Sequence, residues 1–224
     1  MGAVANLARR LLAVVTLALF AAACTADGGE GELGSGYAAS AAGTRSVALR
    51  DRPQIYLFRG GFNGAFSTGI NEMVEALAAR GVPARALSWS ARDASLEEIR
   101  KAHAAGYDGP VVLAGHSLGA GTVHAMVREL TDDGIGVDLA IVFDPLGAIR
   151  VPAGVDRFVN YKASGDRDDP GRYRPGRGFD GQIVNVDIRN LPELGAASHW
   201  NIVNQKALQE RVVDEIVAVY RRRR

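Results

Sequence analysis

From residue 53 onward, short apolar runs alternate with stretches of helical spacing. "QIYLF" (54–58) is a continuous buried-type run, and in "TGINEMVEALAARG" the residues Ile70, Met73, Val74 and Leu77 share one helical face before Gly81 ends it. Further strands are predicted at "ARALSW" (84–89), "PVVLAG" (110–115), "VDLAIVF" (137–143), "DRFVNYKA" (156–163) and "QIVNVDI" (182–188). Helices fall between them at "SLEEIRKAHAAG" (95–106) and "LGAGTVHAMVREL" (118–130), and a last helix over 201–220 carries Ile202, Leu208, Val212, Ile216 and Val217. Such alternation predicts an α/β fold: a mostly parallel sheet of about six strands covered by helices on both faces.

The first 51 residues break this pattern. In 1–24, Arg9 and Arg10 precede an apolar run from Leu11 to Phe20 and then small alanines, the layout of an export signal, and the run is too short to span a bilayer. Cys24 is the only cysteine and follows Ala21, Ala22 and Ala23. That ending resembles the lipobox of bacterial lipoproteins, which implies a lipid on Cys24 and attachment to a membrane at the cell envelope. The alternative is ordinary cleavage with release of the product; both export the chain. Residues 25–51 are rich in Gly, Ala and Ser without apolar periodicity and read as a flexible tether. Residues 52–224 are then expected to form a single domain, acting as a monomer.

Charge narrows the partners. The chain carries 26 basic and 25 acidic residues, and loss of Arg9 and Arg10 with the signal leaves 24 against 25. Nothing in that balance points to nucleic acid. Arginines 221–224 close the last helix, where the helix dipole favours cations. With one cysteine there is no internal disulfide, so an exported domain must be held by packing.

The chemistry concentrates in "VVLAGHSLGAG" (111–121). A β-branched run turns into a helix within a few residues, and Gly115 and Gly119 flank Ser117 where side chains would collide. A serine on such a strand-turn-helix bend has its hydroxyl lifted clear, above helical N–H groups suited to a developing oxyanion. An incidental serine in a tight turn is the plainer alternative. At these residues the chain resembles the α/β-hydrolase superfamily, and "GHSLGAG" is similar to the lipase-type elbow; the likeness covers residue 53 to the end. It implies a serine hydrolase with nucleophile, acid and histidine in that chain order, needing no metal or cofactor.

Of the four histidines, His116 lies inside the bend with its side chain expected to point away from Ser117, His124 sits about two turns along the next helix, and His103 lies on an outer helix. His199 in "ELGAASHWNI" follows the last strand and precedes the final helix, where the superfamily keeps its base. For the acid, Asp144 in "LAIVFDPLG" leaves an apolar strand directly and is similar to the Asp-Pro segment of pancreatic-type lipases. Asp166 in "NYKASGDRDDP" follows the next strand, the commoner superfamily position, and is the alternative; Asp144 is favoured. The oxyanion hole is expected from the N–H of Leu118 and from Gly61 or Phe62 in "FRGGFNGAF", unless those glycines form a plain turn.

Asp166, Asp168 and Asp169 lack the glycine and terminal glutamate of a calcium loop and read as a solvated turn. Residues 164–181 form a long aperiodic connection, a candidate lid or binding segment in which Tyr173 and Phe179 either meet substrate or tuck against the sheet. With no large apolar lid helix, smaller or more polar esters are expected, small-molecule or lipid. A thioesterase would use the same three residues, and a non-catalytic envelope binding protein on this scaffold is the contrasting class.

Overall fold

The computed structural model describes residues 48–163, 171–194 and 197–223. The expected signal segment with Cys24, the tether up to residue 47 and the alternative acid Asp166 lie outside these residues.

Among the described residues eight strands and four α-helices follow one another: β1 (Gln54–Arg59), α1 (Thr68–Ala79), β2 (Arg85–Ser88), α2 (Arg92–Ala104), β3 (Val111–His116), α3 (Leu118–Asp132), β4 (Leu139–Phe143), β5 (Arg150–Val151), β6 (Arg157–Lys162), β7 (Arg174–Pro175), β8 (Gln182–Asp187) and α4 (Lys206–Arg222). Six strands form one sheet in the order β2-β1-β3-β4-β6-β8, and every neighbouring pair is parallel. The expected α/β architecture is therefore present, with the main sheet wholly rather than mostly parallel. The two-residue strands β5 and β7 pair separately and were not legible as strands, since neither reaches a length at which period-two patterning shows.

Strand alternation divides the core in two. Ile55, Leu57, Val112, Ala114, Ile141 and Phe143 face α1 and α4, whose Ile70, Met73, Leu77, Leu208, Val212 and Ile216 cover them. Tyr56, Phe58, Leu113 and Val142 face the other way, onto Leu96 and Ile99 of α2 and Val123, Met126 and Val127 of α3. Both faces being buried is why these strands read as continuous apolar runs rather than as alternating ones.

The largest shifts are at the starts of two helices. Helix α2 begins at Arg92 instead of residue 95, because a 3-10 turn at Trp89–Ala91, in which Ser88 Oγ accepts from Ser90 N–H, feeds directly into it. The last predicted helix is split into a 3-10 turn at Ile202–Asn204 and α4, with extended Gln205 between them. The break presents Val203 O to Gln209 Nε2 at 2.9 Å and lays the same carbonyl against Gly69 of α1, where an added Cβ would stand at 1.8 Å.

Strand order reverses between β1 and β3: β1 leads through α1 to the edge strand β2, while β3 leads through α3 to β4 on the other side. The connections leaving β1 and β3 part to opposite faces and leave a crevice at the carboxyl ends of these two strands. Close approach of α3 to the sheet is made possible by two glycines. A Cβ at Gly115 would meet Gly119 O at 2.2 Å, and one at Gly119 would meet Phe58 O at 2.4 Å, whereas Gly121 on the outer side of α3 has open space.

Opposite signs are expected from alanine at the last two positions. Gly119→Ala forces the helix off the sheet and costs on the order of 3 kcal/mol, while Gly121→Ala stabilises the exposed helix by about 0.5–1 kcal/mol. Urea unfolding of the two single variants checks this.

Candidate active site

Ser117 is the single residue between β3 and α3, and its backbone is forced to φ 55° and ψ −114°. Among the described residues two other non-glycine positions have positive φ, Phe62 at 53° and Asp144 at 43°, and both lie at the same crevice. Such conformations cost about 1–3 kcal/mol each and persist only where surrounding structure enforces them. Enforcement is visible: Ser117 N–H donates to Phe143 O at 3.1 Å and Asp144 N–H to Tyr161 O at 2.8 Å, tying each to the next strand.

The structure brings Ser117, Asp144 and His199 together. His199 Nε2 lies 3.0 Å from Ser117 Oγ, and His199 Nδ1 lies 2.7 Å from Asp144 Oδ2. Asp144 is fully buried, and its other oxygen, Oδ1, accepts from Ala163 N–H at 2.8 Å with Lys162 Nζ 3.6 Å away. A buried carboxylate is tolerated only when paired and hydrogen-bonded. Lys162, itself held by Pro145 O at 2.9 Å, supplies the charge and Ala163 the bond. Since Asp144 accepts, His199 donates from Nδ1, which leaves Nε2 as an acceptor for the serine proton.

Lys162 and His116 are the residues that reading the sequence missed. Lys162 gave one weak signal, a cation closing β6 beside the strand that leads into Asp144. Both ring nitrogens of His116 bond to atoms other than Ser117 Oγ, and the ring is no bystander. Its Nε2 lies 2.8 Å from the carbonyl of His199, and its Nδ1 lies 2.8 Å from Ser67 Oγ, which also accepts from Gly60 N–H at 3.0 Å.

Each proton in that chain is fixed by its neighbours. A carbonyl only accepts, so His116 carries its proton on Nε2; Nδ1 of the neutral ring then accepts from the Ser67 hydroxyl. Burial lowers the His116 pKa to about 4, which keeps the ring neutral. The chain Gly60, Ser67, His116, His199 thus ties the loop after β1 to the backbone of the residue facing the serine.

That loop packs directly on the bend: a Cβ at Gly60 would stand 3.2 Å from Ser117 Cβ, and one at Gly61 would stand 3.1 Å from Leu118 Cδ1. Leu118 opens α3, so its N–H has no carbonyl one turn earlier to bond. Gly61 and Phe62 follow Gly60, whose own N–H is engaged by Ser67.

His124 is placed away from the serine. Its Nε2 bonds Tyr173 Oη, and that hydroxyl donates to Gly147 O at 3.0 Å. Tyr173 is buried and lies tilted against Phe158 with centroids 4.6 Å apart, so of the two expectations for it the sheet contact holds. Burial raises the Tyr173 pKa and lowers that of His124 to about 4. Among the described residues no group of three or more His, Cys, Asp or Glu side chains is arranged to hold a metal ion. No protein-family model matches the chain, and no curated protein matches it in sequence.

His116 and His124 make stability depend on pH. Their pKa falls from 6.5 to about 4 on folding, so between these values the unfolded chain binds more protons. Stability is full above pH 6.5 and declines as pH drops through the window, by on the order of 1–2 kcal/mol per histidine between pH 7 and pH 5. Urea midpoints across that range check it, and His124→Gln is expected to make the decline shallower.

Proposed function

We propose that the chain is an exported serine hydrolase of the α/β-hydrolase type that cleaves carboxylic esters. The observation that carries this reading is the ring of His199, which spans the gap between Ser117 Oγ and the buried carboxylate of Asp144. A structural histidine has no need of an acidic partner on one nitrogen and a strained, half-exposed serine on the other.

In the reaction Ser117 Oγ attacks the acyl carbonyl carbon while its proton passes to His199 Nε2. Asp144 holds the Nδ1 proton in place and stabilises the imidazolium. The oxyanion takes hydrogen bonds from Leu118 N–H and from Gly61 or Phe62. Collapse of the tetrahedral intermediate breaks the ester bond, and His199 returns the proton to the departing alkoxide. Water, deprotonated by the same ring, then releases the acid from Ser117. Asp144 rather than Asp166 is the acid in this scheme, because its carboxylate is already bonded to the ring.

Export is part of the same reading, on the arginine, apolar and small-residue order of residues 1–23, with Cys24 as the point of lipid attachment. Palmitate incorporation that disappears in Cys24→Ala is the expected result.

Wild-type protein is expected to react with a fluorophosphonate probe and Ser117→Ala not to; a folded wild type that never reacts overturns the proposal. Asp144→Asn should lower turnover of an activated ester by roughly 10⁴-fold, whereas Asp166→Asn stays within about twofold, read by steady-state kinetics on folded variants.

A further inference from the structure

Among the described residues, the exposed large apolar side chains are Phe62, Phe66, Trp89, Leu146 and Trp200. Each lies beyond the carboxyl end of a strand of the main sheet: Phe62 and Phe66 after β1, Trp89 after β2, Leu146 after β4 and Trp200 after β8. In a parallel sheet those ends share one rim, here the rim that bears Ser117. Single exposed apolar residues are ordinary, but a contiguous group of aromatics in water marks a surface that meets something apolar.

Three of the five are contiguous. Phe66 packs edge-on against Trp200 at 4.9 Å between centroids, and Phe62 lies 6.0 Å from Phe66 and 6.4 Å from Trp200. They remain 66%, 42% and 53% exposed for Phe62, Phe66 and Trp200 in turn, so they pack on one another without being covered. The group adjoins the site through Trp200, and the chain places Phe62 next to the loop that packs on the bend. The Trp200 ring stands edge-on to that of His199 at 5.2 Å, and Phe62 follows Gly61, which lies against Leu118.

We propose that Phe62, Phe66 and Trp200 form an open aromatic shelf that binds the apolar arm of an ester, acyl or alkyl, beside Ser117. This rests on the serine-hydrolase reading and names its substrate class: esters bearing a medium-length hydrocarbon chain. A sequence with no large apolar lid helix favours smaller or more polar esters; the shelf supplies apolar surface that does not depend on such a helix. The occupant follows from position. A chain leaving a carbonyl carbon seated at Ser117 Oγ meets these rings first, whereas a lipid surface or a second copy would cover the rim as a whole, Leu146 included.

The test uses p-nitrophenyl acetate and octanoate below their aggregation limits, with methyl and octyl acetate as the arm that separates acyl from alkyl binding. Each variant is judged by the ratio of kcat/KM for the long over the short ester, so loss of folded material cancels. Phe66→Ser and Trp200→Ser are expected to lower that ratio about tenfold in one arm, and Leu146→Ser to hold it within about twofold. If a serine variant fails to fold, histidine at the same position, a flat but more polar ring, should lower the ratio about threefold.

Unchanged ratios in both arms overturn the shelf. Losses confined to vesicle-borne esters and equal in Leu146→Ser overturn it in favour of docking on a lipid surface, and a wild-type dimer that the two serine variants dissolve overturns it in favour of a second copy. A wild type that reacts with a fluorophosphonate while its variants keep the wild-type ratio removes only the shelf. A folded wild type that does not react removes the hydrolase reading itself.

Discussion

Strand β3 and helix α3 are joined through one residue, and two backbones so close leave no room for side chains at their contact. Gly115 and Gly119 meet that constraint, with contacts that a Cβ would shorten well below van der Waals distance. The remaining strain falls on Ser117, whose left-handed φ turns the chain sharply enough to begin a helix at the next residue. Everything at the crevice is arranged around that bend. The strand beside it holds the serine amide, the loop after β1 rests on its Cβ, and the first turn of α3 presents amide protons where negative charge would develop.

Electrostatics then separates two neighbouring imidazoles, whose centroids are 5.1 Å apart. His116 has a hydroxyl on one nitrogen and a carbonyl on the other, neither of which rewards a positive charge enough to offset burial, so it stays neutral and acts as a strut. His199 has the carboxylate, and a positive charge formed there is met at 2.7 Å. One ring thus faces two neutral partners and the other a carboxylate; in the proposed reaction the first is a strut and the second the proton acceptor.

The six main strands and the bend were legible because their signals are local: β-branched runs buried on both sides, and glycines at fixed offsets from a serine. Asp144 was legible for a related reason, since a carboxylate leaving an apolar strand without spacer residues has little freedom. What escaped reading depends on contacts between distant segments. Nothing in "GHSLG" reveals that the ring of His116 reaches the backbone of residue 199, and "NYKAS" does not reveal that Lys162 lies beside a buried carboxylate on the neighbouring strand. The split in the last helix was hidden likewise, because it follows from the carbonyl of Val203 packing on Gly69 rather than from a local helix breaker.

That contact has a consequence in time. Gly69 N–H donates to Asn204 Oδ1 at 2.9 Å, so the segment carrying His199 is fastened to α1 directly and, through α4, to the same half of the core that α1 covers. Ser117 is translated 82 residues before His199. The two residues thus come from segments made far apart in time, and the ring of His199 stands beside the Ser117 hydroxyl only once its segment has met α1 and the sheet.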